Sequence, residues 1–319
     1  MENEMTEKQS YKLDFNGKGS TFFGIVVVNW LLTAITLSFY YPWAKAKQLK
    51  YLYSSASLNS DNFAFHGTGK EMFKGYIKAL LIFGIIYAAF GLLFYFEMEL
   101  AAILVLYFGI LAVLPIAIHG TYRYRFSRTS WRGIRFGYRG DRNELFVNFF
   151  KWIFLTFITL GIYGSWMEMN LRRYLIGNIR CGDVEFKYKG QGSDYFVMNL
   201  IGVLLTLLTL GVYSFWYYKK LFAYYIDNMS LYKDGKEIKF KATLSAGDIF
   251  KVGFVNMLIL IFTLGLGYAW VVTRTMTLIF SRIELDGDID LDTIQQTEAD
   301  YNDATGEDMS DFLNIDLVF

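Results

Sequence analysis

The side chains of this 319-residue chain that could do chemistry are few. There is one cysteine, Cys181, and there are two histidines, His66 and His119. Cys181 follows Arg180, a neighbour that can lower a thiol pKa. A single cysteine behind a helical stretch nevertheless reads as incidental rather than nucleophilic. Alone, it forms neither an intramolecular disulfide nor a cysteine-based zinc cluster. His119 ends an apolar stretch, where a helix-terminal or interfacial role competes with a proton relay. The run Asp286-Gly287-Asp288-Ile289-Asp290-Leu291-Asp292 invites a calcium reading. It lacks the glycine and the glutamate that an EF-hand loop needs at its sixth and twelfth positions. The Gly-x-Gly pairs at Gly17, Gly67 and Gly190 lack the Lys-Ser/Thr ending of a phosphate loop and the full dinucleotide spacing. No His-Glu-x-x-His, Gly-x-Ser-x-Gly or Walker sequence occurs. The sequence therefore names no catalytic, metal-binding or cofactor-binding residue, and no cofactor is expected.

A different set of charges recurs by position. Lys47, Lys220 and Arg274 each lie four residues after a tryptophan, and Arg172 and Arg173 lie near the equivalent place in another segment. Brought around a common axis, such cations bind anions or lipid headgroups, as charged rings do in pores. The simpler reading is that they snorkel to phosphates and anchor helix ends.

The elements that position these cations are repeated. The anchor Thr-Leu-(Gly/Ser)-x-Tyr-x-x-Trp occurs at Thr36–Trp43, Thr159–Trp166 and Thr209–Trp216, and with a displaced tyrosine at Thr263–Trp270. Thirteen residues before each threonine lies a phenylalanine (Phe23, Phe146, Phe196, Phe250). Two residues before that lie Thr21, Glu144, Asp194 and Asp248, types suited to a helix first turn. Four residues beyond Lys47, Asn170, Lys220 and Arg274 come Tyr51, Tyr174, Tyr224 and Leu278, a helical spacing. Between the helices the period changes to two, at Leu13–Gly19, Phe63–Gly69, Ile134–Gly140, Phe186–Gly192 and Ile238–Lys241. These stretches read as short strands closed by glycine turns.

The apolar residues form long blocks. No charge interrupts Gly19–Ala44, Ala79–Phe96, Leu100–Tyr122, Tyr195–Tyr218 or Val252–Thr273, and Trp152–Met167 is a shorter run extended back to Leu145. Crossing the hydrocarbon takes about 20 apolar residues. The expected fold is therefore a mainly α polytopic membrane protein, with about six membrane-inserted helical segments built from four internal repeats and short β-strands between repeats. Its expected divisions are a polar segment 1–12, a membrane domain 13–283 and an acidic, flexible tail 284–319. Tyr40, Trp43, Tyr163, Trp166, Tyr213, Trp216 and Trp270 suit an interfacial belt.

The strand ending in Gly-x-Gly, the apolar helix, the Thr-Leu-Gly-x-Tyr-x-x-Trp anchor and the following Arg172-Arg173-Tyr174 resemble the YjgN-like family of bacterial inner-membrane proteins. The resemblance runs from about Leu13 to Leu285 and departs at Ser38 and in the weakened fourth anchor. It implies a multi-pass protein of the cell inner membrane and no particular activity, the family being one of unknown function.

Two topologies remain open. In one, each apolar segment crosses once. In the other, each repeat is a helical hairpin bent at its anchor, and all the strands lie on one side. The link with Glu97 and Glu99 faces outside, and the link from Arg123 to Arg142 faces inside. From Glu284 onward there are twelve acidic residues and no Lys or Arg, so the net charge of +1 divides into a body of +13 and a tail of −12. The expected partners are the bilayer and its anionic headgroups rather than nucleic acid. Three readings of function stay open: a transporter or channel for an anionic or small polar solute, a non-catalytic lipid-interacting or partner-recruiting scaffold, and, least supported, a membrane enzyme.

Overall fold

The computed structural model describes residues 9–287 and 289–297. Residues 1–8, Asp288 and residues 298–319, which include most of the expected tail, lie outside the described residues.

The chain builds five successive strand–helix–helix–strand units. The first is β1 (Gln9–Phe15), α1 (Gly19–Ile35), α2 (Tyr41–Ser55) and β2 (Ala56–Leu58). The second is β3 (Asp61–Phe65), α3 (Gly69–Tyr95), α4 (Glu99–Ser127) and β4 (Thr129–Trp131). The third is β5 (Ile134–Tyr138), α5 (Arg142–Ile158), α6 (Gly164–Gly177) and β6 (Ile179–Cys181). The fourth is β7 (Val184–Tyr188), α7 (Gly192–Leu208), α8 (Ser214–Asp227) and β8 (Met229–Lys233). The fifth is β9 (Lys236–Ala242), α9 (Ala246–Phe262), α10 (Tyr268–Ser281) and β10 (Ile283–Gly287). A single 3-10 turn, Leu291–Thr293, follows.

Within a unit the two strands pair antiparallel, and a helical hairpin projects from one rim. On the other rim, two-residue turns join unit to unit. Asn59-Ser60, Arg132-Gly133 and Asp234-Gly235 have positive φ at both positions, the twist that suits a tight β-hairpin. β1 pairs with β10, which closes a ten-stranded antiparallel barrel without an open edge. The alternation of the strands turns one side chain in two inward. One layer of the lumen repeats in all five units: Leu13 faces Leu58, Phe63 faces Trp131, Phe136 faces Cys181, Phe186 faces Leu231 and Phe240 faces Leu285.

This architecture overturns the expected six-segment α fold. Among the described residues only α3 and α4, with 27 and 29 residues, are long and apolar enough to cross a membrane. The uncharged runs at 19–44, 152–167, 195–218 and 252–273 are not single helices, because each contains an anchor that ends one helix and begins the next. The strands do not separate membrane repeats but make one barrel. The second unit, which has no anchor, makes the count of units five rather than four. Of the two open topologies, the hairpin is the one present. The acidic tail expected from Glu284 begins inside β10, where Asp286 and Gly287 are strand residues.

The main core lines the barrel and the helix bases, where Leu145, Leu175, Ile238 and Leu285 are buried. A smaller cluster of Phe22, Val26 and Ala269 joins the first unit to the fifth, so the helices also close a ring. Farther out the pattern reverses. Leu37, Leu160, Leu210 and Leu264, at the tips of the four short hairpins, are 83%, 94%, 95% and 91% exposed.

Candidate membrane-facing site

Each anchor is a turn held by its threonine. The hydroxyls of Thr36, Thr159, Thr209 and Thr263 donate to the carbonyls of Leu32, Leu155, Leu205 and Ile259 at 2.6–2.8 Å. They accept the backbone N–H of Tyr40, Tyr163, Tyr213 and Gly267 at 2.7–3.0 Å. One side chain thus adds a second hydrogen bond to a carbonyl of the first helix that already accepts the threonine N–H, and satisfies a free N–H at the start of the second. The leucine after each threonine has φ of 48–50°, and the next residue, Ser38, Gly161, Gly211 or Gly265, has φ of 73–95°. This left-handed pair reverses the chain and explains why glycine fits the third anchor position.

The recurring cations are placed by the same turn. Lys47 Nζ donates to Tyr40 Oη at 2.8 Å, and Lys220 Nζ to Tyr213 Oη at 3.2 Å, each spanning seven residues or two helical turns. Asn170 makes the equivalent contact to Tyr163 at 3.4 Å. Gly267 holds the tyrosine position in the fifth unit, and Arg274 is exposed. The structure does not bring these cations together. Lys47 lines an open cleft of about 570 Å³ with Lys50, Ser54 and His66. Lys220 lines another, of about 420 Å³, with Asp194, Gly202 and Tyr213. Arg172 and Arg173 tie the third unit to the fourth. The Arg172 guanidinium pairs with Glu168 at 2.8 Å and lies 3.7 Å over the Tyr225 ring, and Arg173 donates to the Gly190 carbonyl at 2.7 Å.

The anchor aromatics also bind unit to unit. Tyr40, Tyr163 and Tyr213 stack on Trp43, Trp166 and Trp216 at 6.2 Å. Trp43, Trp166 and Trp270 then lie against Gly69, Gly192 and Gly19 of the following unit, where a Cβ would come within 2.4 Å of the indole. The second glycine of each Gly-x-Gly pair is therefore there for close approach. The hairpin bases are clamped by the repeated tyrosines. The hydroxyls of Tyr51, Tyr174 and Tyr224 donate to the carbonyls of Lys18, Asp141 and Gln191 at 2.7–2.9 Å, each 33 residues back. Tyr124 takes this place in the second unit and reaches Glu71 at 3.3 Å. The second unit lacks the anchor that marks the others, so no sequence signal singled out Tyr124.

The remaining candidates have structural surroundings. Cys181 is buried in the barrel wall, and burial pushes its thiol up to about 12, opposite to the shift that Arg180 suggested. His119 is buried and contacts the Gly140 carbonyl through Nε2 at 2.9 Å. Asp248 pairs with Arg282 and caps α9 together with Ser245, while Glu144 meets Tyr174 in the third unit. Among the described residues no group of three or more His, Cys, Asp or Glu side chains is arranged to hold a metal ion.

A family model described as bacterial protein of unknown function (DUF898) matches residues 10–189, 183–235 and 217–312. The chain belongs to this family. It is 36% identical over 142 residues to the inner membrane protein YjgN of Salmonella typhimurium strain LT2, a match covering 44% of this chain and 34% of the relative. It is 35% identical over 136 residues to the inner membrane protein YjgN of Escherichia coli O157:H7, covering 43% and 33%. The matched stretch thus spans about a third of the length of these relatives. No solved structure matches the chain.

Proposed function

We propose that this family member is a non-catalytic, lipid-interacting scaffold of the inner membrane, with its barrel on the cytoplasmic side. The observation that carries this reading is the pairing of an exposed apolar tip with a cation at a fixed distance behind it. The relatives named as inner-membrane proteins support the location.

Helix lengths make the arrangement physically consistent. α3 has 27 residues and α1 and α7 have 17, a difference worth about 15 Å at 1.5 Å per residue. The hydrocarbon core is about 30 Å thick. If the α3–α4 hairpin crosses it, the short tips end near its middle, among acyl chains that suit their exposed leucines. Lys47, Lys220 and Arg274 then lie about 9 Å back along their helices, within snorkelling reach of headgroup phosphates. Glu97 and Glu99 sit at the far tip of the long hairpin, and the arginine-rich link sits in the barrel, an orientation that agrees with the positive-inside bias. A solute pathway has less support, since Lys47 and Lys220 line separate clefts.

Full-length protein in vesicles with brominated lipid tests the proposal through quenching of the anchor tryptophans. Brominated phosphatidylglycerol is expected to quench at least twofold more than brominated phosphatidylcholine. The triple variant Lys47→Glu, Lys220→Glu, Arg274→Glu, with unchanged circular dichroism, should lose that preference. An unchanged preference overturns the headgroup role. Anion flux into the same vesicles that depends on Lys220 would favour the transporter instead.

A further inference from the structure

The barrel lumen is not completely filled. A cavity of about 230 Å³ remains inside it, lined by side chains from all ten strands. Its floor is Tyr122 and Phe126 of α4 with Ile176 of α6, and its cover is Ile289, Leu291 and Ile294 from the segment after β10. Among the described residues no charged side chain lines it. Well-packed interiors leave few voids larger than a water molecule. A void this large and this apolar holds water poorly and accepts hydrocarbon instead.

The cover is a strap held by polar contacts at its edges and by Ile289 and Leu291, which are buried in the main core. It crosses the rim formed by the unit-to-unit turns. Asp292 pairs with Arg132 of the turn after β4. Lys233 Nζ donates to the Thr293 carbonyl and pairs with Asp183 at 3.0 Å. Asp183 and Gln295 exchange two hydrogen bonds of 3.1 Å, and Thr297 Oγ1 donates to the Gly182 carbonyl at 2.7 Å. At the strap's start, Tyr11 Oη donates to the Ile289 carbonyl. The strap backbone and its polar side chains hold the turns, while three apolar side chains point at the cavity. Detaching it breaks polar contacts at the rim and uncovers Ile289 and Leu291, but disturbs no barrel pairing, because every strand already has two neighbours.

We propose that the lumen is a binding site for a small uncharged hydrocarbon, admitted when the strap of residues 289–297 lifts. A 150 Å³ cavity of similar lining holds benzene, so scaling by volume gives a ligand of about nine carbons. The strap rim lies opposite the helical hairpins, so the ligand is a free molecule reaching the barrel from the aqueous side, not the acyl chain of a bilayer lipid. The cavity is a property of the barrel alone, and the aqueous approach rests on the proposed placement of the hairpins in the membrane, not on the headgroup reading.

Cys181 lines the cavity and is the only cysteine in the chain, which makes it a reporter. The full-length protein in nanodiscs is treated with N-ethylmaleimide, with and without p-xylene as the probe. p-Xylene is expected to slow modification at least threefold. A chain ending at Gly287 should react at least tenfold faster than the full chain and remain protectable by p-xylene. Leu231→Phe, which fills the lumen, should lose the p-xylene effect, and Val184→Phe serves the same purpose if Leu231→Phe does not fold. Modification that p-xylene leaves unchanged in both the full and the shortened chain overturns the proposal. So does equal slowing in the wild type and the filled variant, which would place the probe in the bilayer.

Discussion

At the scale of single residues, the polar groups on the outer barrel wall do specific work. Glu237 on β9 accepts from Lys189 Nζ at 2.8 Å and from Tyr232 Oη at 2.6 Å, tying β9 to β8 and to the residue that follows β7. Lys189 is the larger cause, with Tyr232, of a carboxyl held down at about 2. A carboxylate with a lowered folded pKa contributes its full stability above its unfolded value, about 4.3, and loses it as pH falls through the folded value. Asp183 and Asp248 are shifted the same way, Asp183 by its bonds to Lys233 and Gln295 and Asp248 by Ser245 and Arg282. Thermal melts followed by tryptophan fluorescence should therefore show stability falling between about pH 4 and pH 2. Glu237→Gln should lower stability at pH 7 and flatten that fall, and an equally steep fall in the variant would refute the assignment. Little of this was legible in the sequence. Glu237, Asp183 and Lys233 carry no motif, and apart from Tyr232 their partners lie far away in the chain.

At the scale of elements, the anchor is a helical hairpin turn with a threonine staple. Its glycine is required by φ near 90°, so Gly211→Ala should destabilise the hairpin by about 1–2 kcal/mol, as expected for an L-residue forced into left-handed geometry. Faster hydrogen exchange at the amides of residues 206–213 would report it, and unchanged exchange would mean that the turn is not under this constraint. The anchor was fully visible in the sequence, as were the strands at Leu13, Phe63, Ile134, Phe186 and Ile238. β2, β4, β6, β8 and β10 were not visible, since strands of three to five residues that directly follow a helix carry too few alternations to show a period. The uncharged runs misled for a related reason. An exposed apolar tip keeps the composition of a membrane helix straight through the turn that ends it.

At the scale of the whole molecule, the barrel gives every unit the same direction. All five helical hairpins leave one rim, and the strap covers the other. The orientation can be measured in a Cys181→Ser background. A cysteine replacing Glu97 should react with a membrane-impermeant maleimide on intact spheroplasts, and one replacing Asp234, in a turn of the strap rim, only after permeabilisation. The reverse pattern would invert the proposed topology. The sequence by itself determined what is local or repeated: the anchors, five strands, the cations two turns behind the tyrosines and the division of charge between body and tail. Those features are set by backbone sterics and helical period, which act within a few residues. Only the tertiary structure decided that the strands close into one barrel, that the second unit joins the other four and that Lys47 and Lys220 lie in separate clefts. It also decided that the start of the acidic tail folds over an apolar lumen. Pairing β1 with β10 brings together residues more than 270 positions apart, and such closure depends on backbone groups that every residue carries alike.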